Sequence, residues 1–300
     1  MKRILKLIGK IIGGLIGLIV LAVVAVMAMG YFRYNKTYEV AVPALEIPTD
    51  EASIARGDHL VNAIAHCALC HGEGLAGDYM VNSGAEGIVV APNLTSGEGG
   101  RGASFSTQDW VRAIRHGIHS DGRSVLIMPS LSFDALSEAD LAAIIAYLQT
   151  IPPVDNVLPE TKPGPLMIAL IGAGPFTEGM SALHIDHAAP FPVAPIEAAT
   201  VEYGAYLIEI GQCRLCHGGE LAGGQSNPGA PLGPNLTPGG EPGFWTDEQF
   251  VEVIRTGLHP SGRELVSHMP WKYFRNMTDT ELLAIRAYLM SLPKLETVIP

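Results

Sequence analysis

Apolar residues run without a single charge through positions 11–30. A basic leader with four Lys or Arg and no acid precedes them, and the aromatic-rich cluster at positions 31–34 follows. At about 1.5 Å per residue, a helix of this length spans the ~30 Å hydrocarbon core of a bilayer. Basic flanks stay in the cytoplasm and aromatic rings favour the interface. We therefore predict that residues 1–36 form a leader and a single transmembrane anchor.

A cleaved signal peptide is the alternative interpretation of this N-terminal pattern. Small residues at Ala28 and Gly30 would permit cleavage, although the apolar core of a signal peptide is usually shorter than this run. Both interpretations export the rest of the chain across the cytoplasmic membrane.

Beyond the anchor, helical periodicity occurs in two matching copies, the first repeat (residues 51–152) and the second repeat (residues 198–293). Each copy begins with an apolar-periodic helix, continues with a helix that has a capping-box-like start, and ends with a helix before a proline. No alternating strand pattern is evident. The predicted helices cover residues 51–65, 106–117 and 137–148, and in the second repeat residues 198–211, 246–257 and 278–289.

The repeat predicts an all-α fold of two tandem domains, at residues 37–155 and 196–300. Between them, the proline-rich segment 156–195 has no periodicity, and its apolar stretch 166–174 is too short to span a membrane. We expect this segment to pack between the two domains, because a free loop of this length is uncommon in a compact protein. A strip that binds a partner is the alternative.

The candidate chemistry lies in a five-residue sequence motif, or word, that occurs once in each repeat. Cys67-Ala-Leu-Cys70-His71 and Cys213-Arg-Leu-Cys216-His217 both read Cys-x-x-Cys-His, and together they contain all four cysteines. The spacing suits covalent haem, in which two thiols on one helical turn bind the vinyl groups and the adjoining His coordinates iron. A zinc site would need further ligands for each word, and a redox dithiol expects a βαβ context. The chain is therefore predicted to carry two haem c groups.

A second axial ligand for each iron is predicted from the repeat. Met128 and Met269 are the methionines at matching positions, and each is followed by proline. A thioether binds ferrous iron well and raises the reduction potential. His119 and His259 also occupy matching positions and are the rival ligands, although their Gly-rich turns favour local hydrogen bonding.

Charge narrows the choice of partners. The chain has 19 basic and 30 acidic residues, a net charge of −11, and six of the basic residues lie in the first 36 positions. The exported part is therefore strongly acidic, which excludes nucleic acid as a natural partner. Steering of a basic docking partner and an ordinary solvated surface both remain open.

Taken together, these motifs resemble class I c-type cytochromes over both repeats. The family order is Cys-x-x-Cys-His, then Pro-Asn-Leu, then Met-Pro, then a final helix with Ala-Tyr-Leu. The resemblance implies that the Pro92 and Pro234 carbonyls accept a hydrogen bond from the Nδ1 atoms of the haem-ligating histidines. It also makes four repeated arginines candidates to pair with haem propionates, with a solvated-surface role as the alternative: Arg115, Arg255, Arg123 and Arg263.

Within that family, the sequence is similar to cytochrome subunits of membrane-bound quinoprotein and flavoprotein dehydrogenases. A cytochrome subunit of a cbb3-type oxidase and a stand-alone di-haem shuttle are the alternatives. The implied function is electron transfer at the outer, periplasmic face of the cytoplasmic membrane, with a dehydrogenase subunit, an oxidase or a small electron carrier as partner. A di-haem peroxidase would need an open iron position, and the Met retained in both repeats disfavours it.

Overall fold

The fold begins with one long helix. In a computed structural model that describes residues 2–42, 44–224 and 232–297, α1 (Lys2–Asn35) leaves nearly all its apolar side chains exposed, and Gly30 is its buried residue. It is the one helix in those ranges that is long and apolar enough to cross a membrane. Length and composition support the predicted anchor and equally fit a signal sequence.

The first repeat forms helices where the capping signals place their starts. Asp50, Ser106 and Ser137 each accept a hydrogen bond from the backbone N–H three residues on, which satisfies a donor that the helix leaves free. The π-helical turn Leu60–Ile64 extends α2 toward the first Cys-x-x-Cys-His word. The helices are α2 (Glu51–His59), α3 (Ala68–His71), α4 (Thr107–Ile114), α5 (Ser130–Phe133) and α6 (Glu138–Thr150).

The second repeat follows the same plan after the intervening helix α7 (Pro165–Ala173). Thr200 caps its first helix, and Thr246 and Thr278 form complete capping boxes with Gln249 and Glu281. Its helices are α8 (Val201–Ile210), α9 (Cys213–His217), α10 (Asp247–Thr256), α11 (Trp271–Phe274) and α12 (Asp279–Ser291).

In each repeat the first helix crosses the last helix at backbone contact distance. A Cβ atom on Gly57 would lie 2.0 Å from the Ala143 carbonyl oxygen, and one on Gly204 would lie 1.9 Å from that of Ala284. Only glycine allows this approach, which packs α2 on α6 and α8 on α12. The core of both repeats is one continuous cluster of buried apolar side chains around these crossings.

Short strands qualify the predicted all-α fold. Helices hold 48% of the described residues, so the prediction is confirmed only as mostly helical. The strands β1 (Asp78–Ser83), β2 (Gly87–Ala91) and β3 (Lys162–Pro163) form an antiparallel sheet, and β4 (Ala222–Gly224) pairs antiparallel with β5 (Gly233–Asn235). In the first repeat the run Ile-Val-Val-Ala at residues 88–91 was the available strand signal, but its length left it ambiguous.

The segment between the repeats packs differently from the prediction. Its contacts join it to the first repeat and to α1: β3 pairs with β2, α7 packs on α1, and the Ser181 hydroxyl donates to the Met128 carbonyl at 2.9 Å. The expectation that it fills the space between the repeats is therefore wrong for these elements. Its apolar side chains find their burial against β2 and α1 instead.

The repeats contact each other directly through two buried carboxylates at matching positions. Asp140, at the start of α6, accepts hydrogen bonds from Arg56 at 2.9 Å and from Tyr206 of the second repeat at 2.6 Å. Glu281, at the start of α12, accepts from Tyr203 at 3.2 Å and from His59 of the first repeat at 2.8 Å. Each repeat therefore supplies a donor to the other repeat's carboxylate, which satisfies charges that burial alone would make costly.

The helix crossing is tested by Gly204→Ala. The new methyl group collides with the Ala284 carbonyl, so we expect the free energy of unfolding to fall by about 1–3 kcal/mol or more. Guanidinium unfolding of the detergent-solubilised chain, followed by circular dichroism, measures the change. Gly219→Ala is the matched control, because a Cβ there meets nothing within 4 Å. Equal midpoints for the two variants would contradict the close crossing.

The carboxylate contact predicts a loss of stability in acid. Burial by itself raises the pKa of Glu281, but hydrogen bonds from His59 and the Thr278 backbone, with Arg56 nearby, lower it overall below its ordinary 4.5. A lowered pKa contributes stability above the ordinary value, and this contribution is lost as pH falls through the lowered one.

Glu281→Gln should therefore reduce the free energy of unfolding at pH 7 by about 1–3 kcal/mol. The difference from the parent chain should shrink as pH falls below about 4. Denaturant titrations across that range measure it, with the exposed Glu252→Gln as control. A difference between parent and variant that does not change with pH would exclude an ionised, paired Glu281.

Candidate haem attachment sites

Two short helices hold the two Cys-x-x-Cys-His words. Cys67 caps α3, so Cys70 follows one turn later and His71 ends the helix, while Cys213, Cys216 and His217 lie within α9. All four thiols are free and half-buried, and both histidines are buried. One helical turn thus places two thiols and an imidazole together in each repeat, as the spacing predicts.

Each histidine is oriented by a backbone carbonyl. Nδ1 of His71 lies 2.8 Å from the Pro92 carbonyl oxygen, and Nδ1 of His217 lies 2.7 Å from that of Pro234. A carbonyl only accepts, so Nδ1 carries the proton and Nε2 keeps its lone pair for a metal. Burial lowers the pKa of both imidazoles, against the opposing effect of the carbonyl, so both are neutral at pH 7.

The two carbonyls are held in place by the Pro-Asn-Leu-Thr turns. The side-chain oxygen of Asn93 accepts from the Thr95 N–H at 2.9 Å, while its amide donates to the Val154 carbonyl at 2.7 Å. Asn235 repeats this pattern with Thr237 at 2.9 Å and Leu295 at 2.9 Å. The buried asparagines thereby tie each turn to the chain segment that follows the last helix.

The thiols are in an environment that keeps them protonated. Burial raises the pKa of Cys67 and of Cys213 to about 12, and it also raises the pKa of Cys70 and Cys216. Metal binding and disulfide exchange use the thiolate. Within the described ranges, no group of three His, Cys, Asp or Glu side chains could hold a metal ion. The raised pKa of these thiols disfavours the thiolate that a redox dithiol would use.

The structure places the predicted methionine ligands on the same apolar cluster as the haem cysteines. Met128 and Met269 are half-buried and pack against it, as do Cys67 and Cys213. The rival histidines bond locally. His119 lies within 3.4 Å of Asp121, and His259 contacts Ser261 at 2.7 Å and Glu241 at 3.0 Å.

The four arginines proposed for propionates have protein partners in the described residues. Arg115 is buried, donates to the Ala189 and Pro190 carbonyls and forms an ion pair with Asp134 at 3.2 Å. The other three also form ion pairs, between Arg255 and Asp279, Arg123 and Asp121, and Arg263 and Glu241. Their role toward propionates stays a prediction.

Two buried donors without a described acceptor are available to an anionic group. The indole N–H of Trp110 and the Nη1 atom of Arg115 are buried and have no hydrogen-bond partner among the described residues. An unpaired buried donor is costly, and a carboxylate such as a haem propionate would satisfy it. The protonated thiols, the oriented imidazoles and these donors fit covalent haem.

Sequence reasoning missed two residues that link the haem words to the other repeat. His66, directly before Cys67, is buried with its ring edge-on to Phe274 of the second repeat at 5.3 Å between centroids. Gln212, directly before Cys213, donates to the Ala65 carbonyl at 3.3 Å. Both have positive φ values, +40° and +61°. The only signal in the sequence was their shared position beside the first cysteine.

Both repeats are similar in sequence to known proteins. The family model described as cytochrome c oxidase, cbb3-type, subunit III matches residues 52–148 and 199–289, well over half of the chain. The fructose dehydrogenase cytochrome subunit of Gluconobacter japonicus is 29% identical over 80% of this chain and 53% of its own length. A diheme cytochrome c-type protein of Cereibacter sphaeroides is 29% identical over 83% and 88%.

A further relative is the gluconate 2-dehydrogenase cytochrome c subunit of Pantoea cypripedii, 25% identical over 81% of this chain and 60% of its own length. The chain thus spans little more than half the length of these two dehydrogenase subunits.

The axial ligands are tested by Met128→Leu and Met269→Leu, which keep the side-chain volume. Each variant should lose the near-infrared Met–iron band of one oxidised haem and lower one reduction potential, because the thioether stabilises ferrous iron. Absorption spectra and potentiometric titration measure both effects. Met80→Leu, a half-buried methionine without a counterpart in the second repeat, is the control. Unchanged spectra in both ligand variants would refute the assignment.

Proposed function

This chain belongs to the family of cbb3-type cytochrome c oxidase subunit III, a c-type cytochrome with covalently bound haem, and we propose that it transfers electrons for a membrane-bound dehydrogenase. The observation that carries the proposal is the pair of Cys-x-x-Cys-His helices whose histidines are each held by a proline carbonyl. The relatives that are cytochrome subunits of dehydrogenases support the choice of partner.

The proposed architecture is two tandem class I cytochrome c domains, at residues 37–155 and 196–300. His71 and Met128 would hold the iron of the first haem, and His217 and Met269 that of the second. The haem supplies one-electron oxidation and reduction at its iron. The protein anchors it by two thioethers, fixes the imidazole plane through Pro92 or Pro234, and surrounds it with the shared apolar cluster.

Electron transfer, and not catalysis at iron, is supported by the ligand sets. Both repeats offer a thioether on the same cluster as the haem cysteines, so both irons would be closed to substrate. The direct contact of the repeats through Asp140, Glu281 and their cross-repeat donors supports electron exchange within one chain, because it holds the two sites in a fixed relation.

We further propose that α1 is an uncleaved anchor and that both haem domains lie at the outer face of the cytoplasmic membrane. Exposed apolar side chains along α1 support this, as Leu18 and Leu21 show with 66% and 68% exposure. A single residue of that kind is ordinary, but a continuous exposed apolar helix requires lipid or another cover.

An oxidase is the second candidate partner. The matching family model takes its description from a cbb3-type oxidase subunit, whereas the dehydrogenase subunits align with about four-fifths of this chain. The presence of several dehydrogenase cytochrome subunits among the relatives favours the dehydrogenase.

The partner is identified by purifying the tagged full-length chain from its native membranes in a mild detergent. We expect two haems per chain and co-purification of a dehydrogenase subunit, whose substrate then reduces both haems. As a control for specificity, Cys213→Ala combined with Cys216→Ala should leave one haem per chain. Co-purification of a copper-containing oxidase subunit instead would favour the second candidate, and a haem content below two would contradict the di-haem assignment.

A further inference from the structure

The short helix α7 lies beside the outer end of α1, and the proposed function gives it no role. Its contacts show that the two helices run antiparallel, because Gly30 meets Ile168 and Gly172 meets Val26. Resting on the proposed anchor, we propose that α7 is a second membrane-contacting element. Its free face contacts the lipid of the outer leaflet, and this contact holds the first repeat at the surface of the bilayer.

Helices α7 and α1 pack so closely that their backbones touch. A Cβ on Gly30 would lie 2.0 Å from the Ile168 carbonyl oxygen, and one on Gly172 would lie 2.0 Å from that of Val26. Small residues that let two backbones touch are typical of helix pairs within membranes. Such a contact binds the two helices as a unit, so the position of α1 in the bilayer sets that of α7.

The contacts with α1 also set the depth of α7 in the bilayer. Val26 and Gly30 both belong to the uncharged run 11–30 that is proposed to cross the membrane. Because the helices are antiparallel, the C-terminal end of α7 is level with Val26, about 6 Å to the hydrocarbon side of Gly30 at 1.5 Å per residue. The end of α7 therefore lies below the aromatic cluster that marks the outer interface.

The backbone carbonyls at the C-terminal end of α7 need hydrogen-bond donors. A helix leaves its last carbonyls unpaired, and lipid offers them no hydrogen bond. Arg33 reaches back from α1 and donates to the Ile171 carbonyl at 2.7 Å and the Gly172 carbonyl at 3.2 Å. The Gly174 N–H donates to the Leu170 carbonyl at 3.1 Å. Protein groups thus satisfy the Leu170, Ile171 and Gly172 carbonyls near this end, as contact with lipid requires.

One face of α7 is not covered by the described protein elements. One face of α7 is buried against Val89 and Met180 through Met167 and Ile171, and a second packs on α1. The third carries Leu166, which is 45% exposed, and the exposed Ala173, both on a helix without any charged or polar side chain. Lipid is the cover that continues without a break from the neighbouring exposed surface of α1.

The packing of α7 on α1 fixes the position of the first repeat relative to the bilayer. Further contacts join it to the end of α1: the Tyr38 N–H donates to the Gly122 carbonyl at 2.8 Å, and Arg123 lies over the ring of Tyr34 at 5.0 Å. Together with α7, these contacts hold the first repeat close to the bilayer. The second repeat is then attached to the membrane only through the first and through its own partners.

The test places a single free thiol on α7. The native cysteines are consumed by haem, so Ala173→Cys adds the only reactive thiol, and Val193→Cys, at a site 92% exposed, is the matched control on the same segment. The full-length holoprotein is reconstituted alone into phosphatidylcholine vesicles and treated with a charged or a lipid-soluble maleimide, and labelling is read by mass spectrometry.

We expect the thiol at position 173 to react at least about tenfold more slowly than that at 193 with the charged reagent, because a charged group does not enter hydrocarbon. The lipid-soluble reagent should label both. Leu166→Cys, at the other end of the same face, lies level with the aromatic cluster and should react with the charged reagent at a rate between those of positions 173 and 193. Equal rates at 173 and 193 would overturn the proposal.

Two further outcomes separate this inference from its premise. If position 173 is accessible in pure lipid but protected in native membranes, a protein partner covers α7 and the lipid contact is refuted while the anchor stands. If alkaline carbonate releases the full-length chain from the vesicles, the proposed anchor fails and the lipid contact of α7 fails with it. Retention after the wash, combined with protection at position 173, supports the proposal.

Discussion

The close crossing of the first and last helix in each repeat is the constraint on which the rest of this structure depends. Gly57 and Gly204 let two backbones meet where any side chain would hold them apart. The crossing places the end of the first helix, and with it the Cys-x-x-Cys-His word, beside the shared apolar core. It also brings the acidic start of the last helix within reach of the first helix. Ligand placement and contact between the repeats both follow from this geometry.

The two repeats meet with approximate two-fold equivalence but use different side chains. Asp140 is satisfied by an arginine of its own repeat and a tyrosine of the other, whereas Glu281 is satisfied by a tyrosine of its own repeat and a histidine of the other. A buried carboxylate needs donors wherever it lies, and each repeat found a different set. Such divergence gives the two sites distinct electrostatic surroundings although the residues predicted as their ligands are the same.

The orientation of the first repeat also depends on α1. Glycines at matched heights in α1 and α7 allow backbone contact, and Arg33 closes the carbonyl end of α7. Helices that touch so closely transmit position, because neither can slide without a collision. The first repeat is thus oriented relative to α1, while the second is oriented relative to the first through the carboxylate contacts.

Much of the site could be predicted from the chain because its chemistry is local. Cysteine spacing within one helical turn, a capping serine or threonine, and a Met-Pro pair depend on neighbours a few positions apart, and duplication distinguished Met128 and Met269 from eight other methionines. The arginines were harder to assign. Long charged side chains reach many partners, and Arg115 found the carbonyls of residues 189 and 190, far along the sequence.

By itself, then, the sequence determined the haem words, the capped helices and the apolar N-terminal run, since each is encoded by periodicity or spacing over one or two turns. Only the tertiary structure decided that α7 packs on α1, that His59 pairs with Glu281, and that both repeats share one core. These contacts join residues that are distant along the chain, and their partners are chosen by shape and by the need to satisfy buried polar groups. No local pattern records that choice.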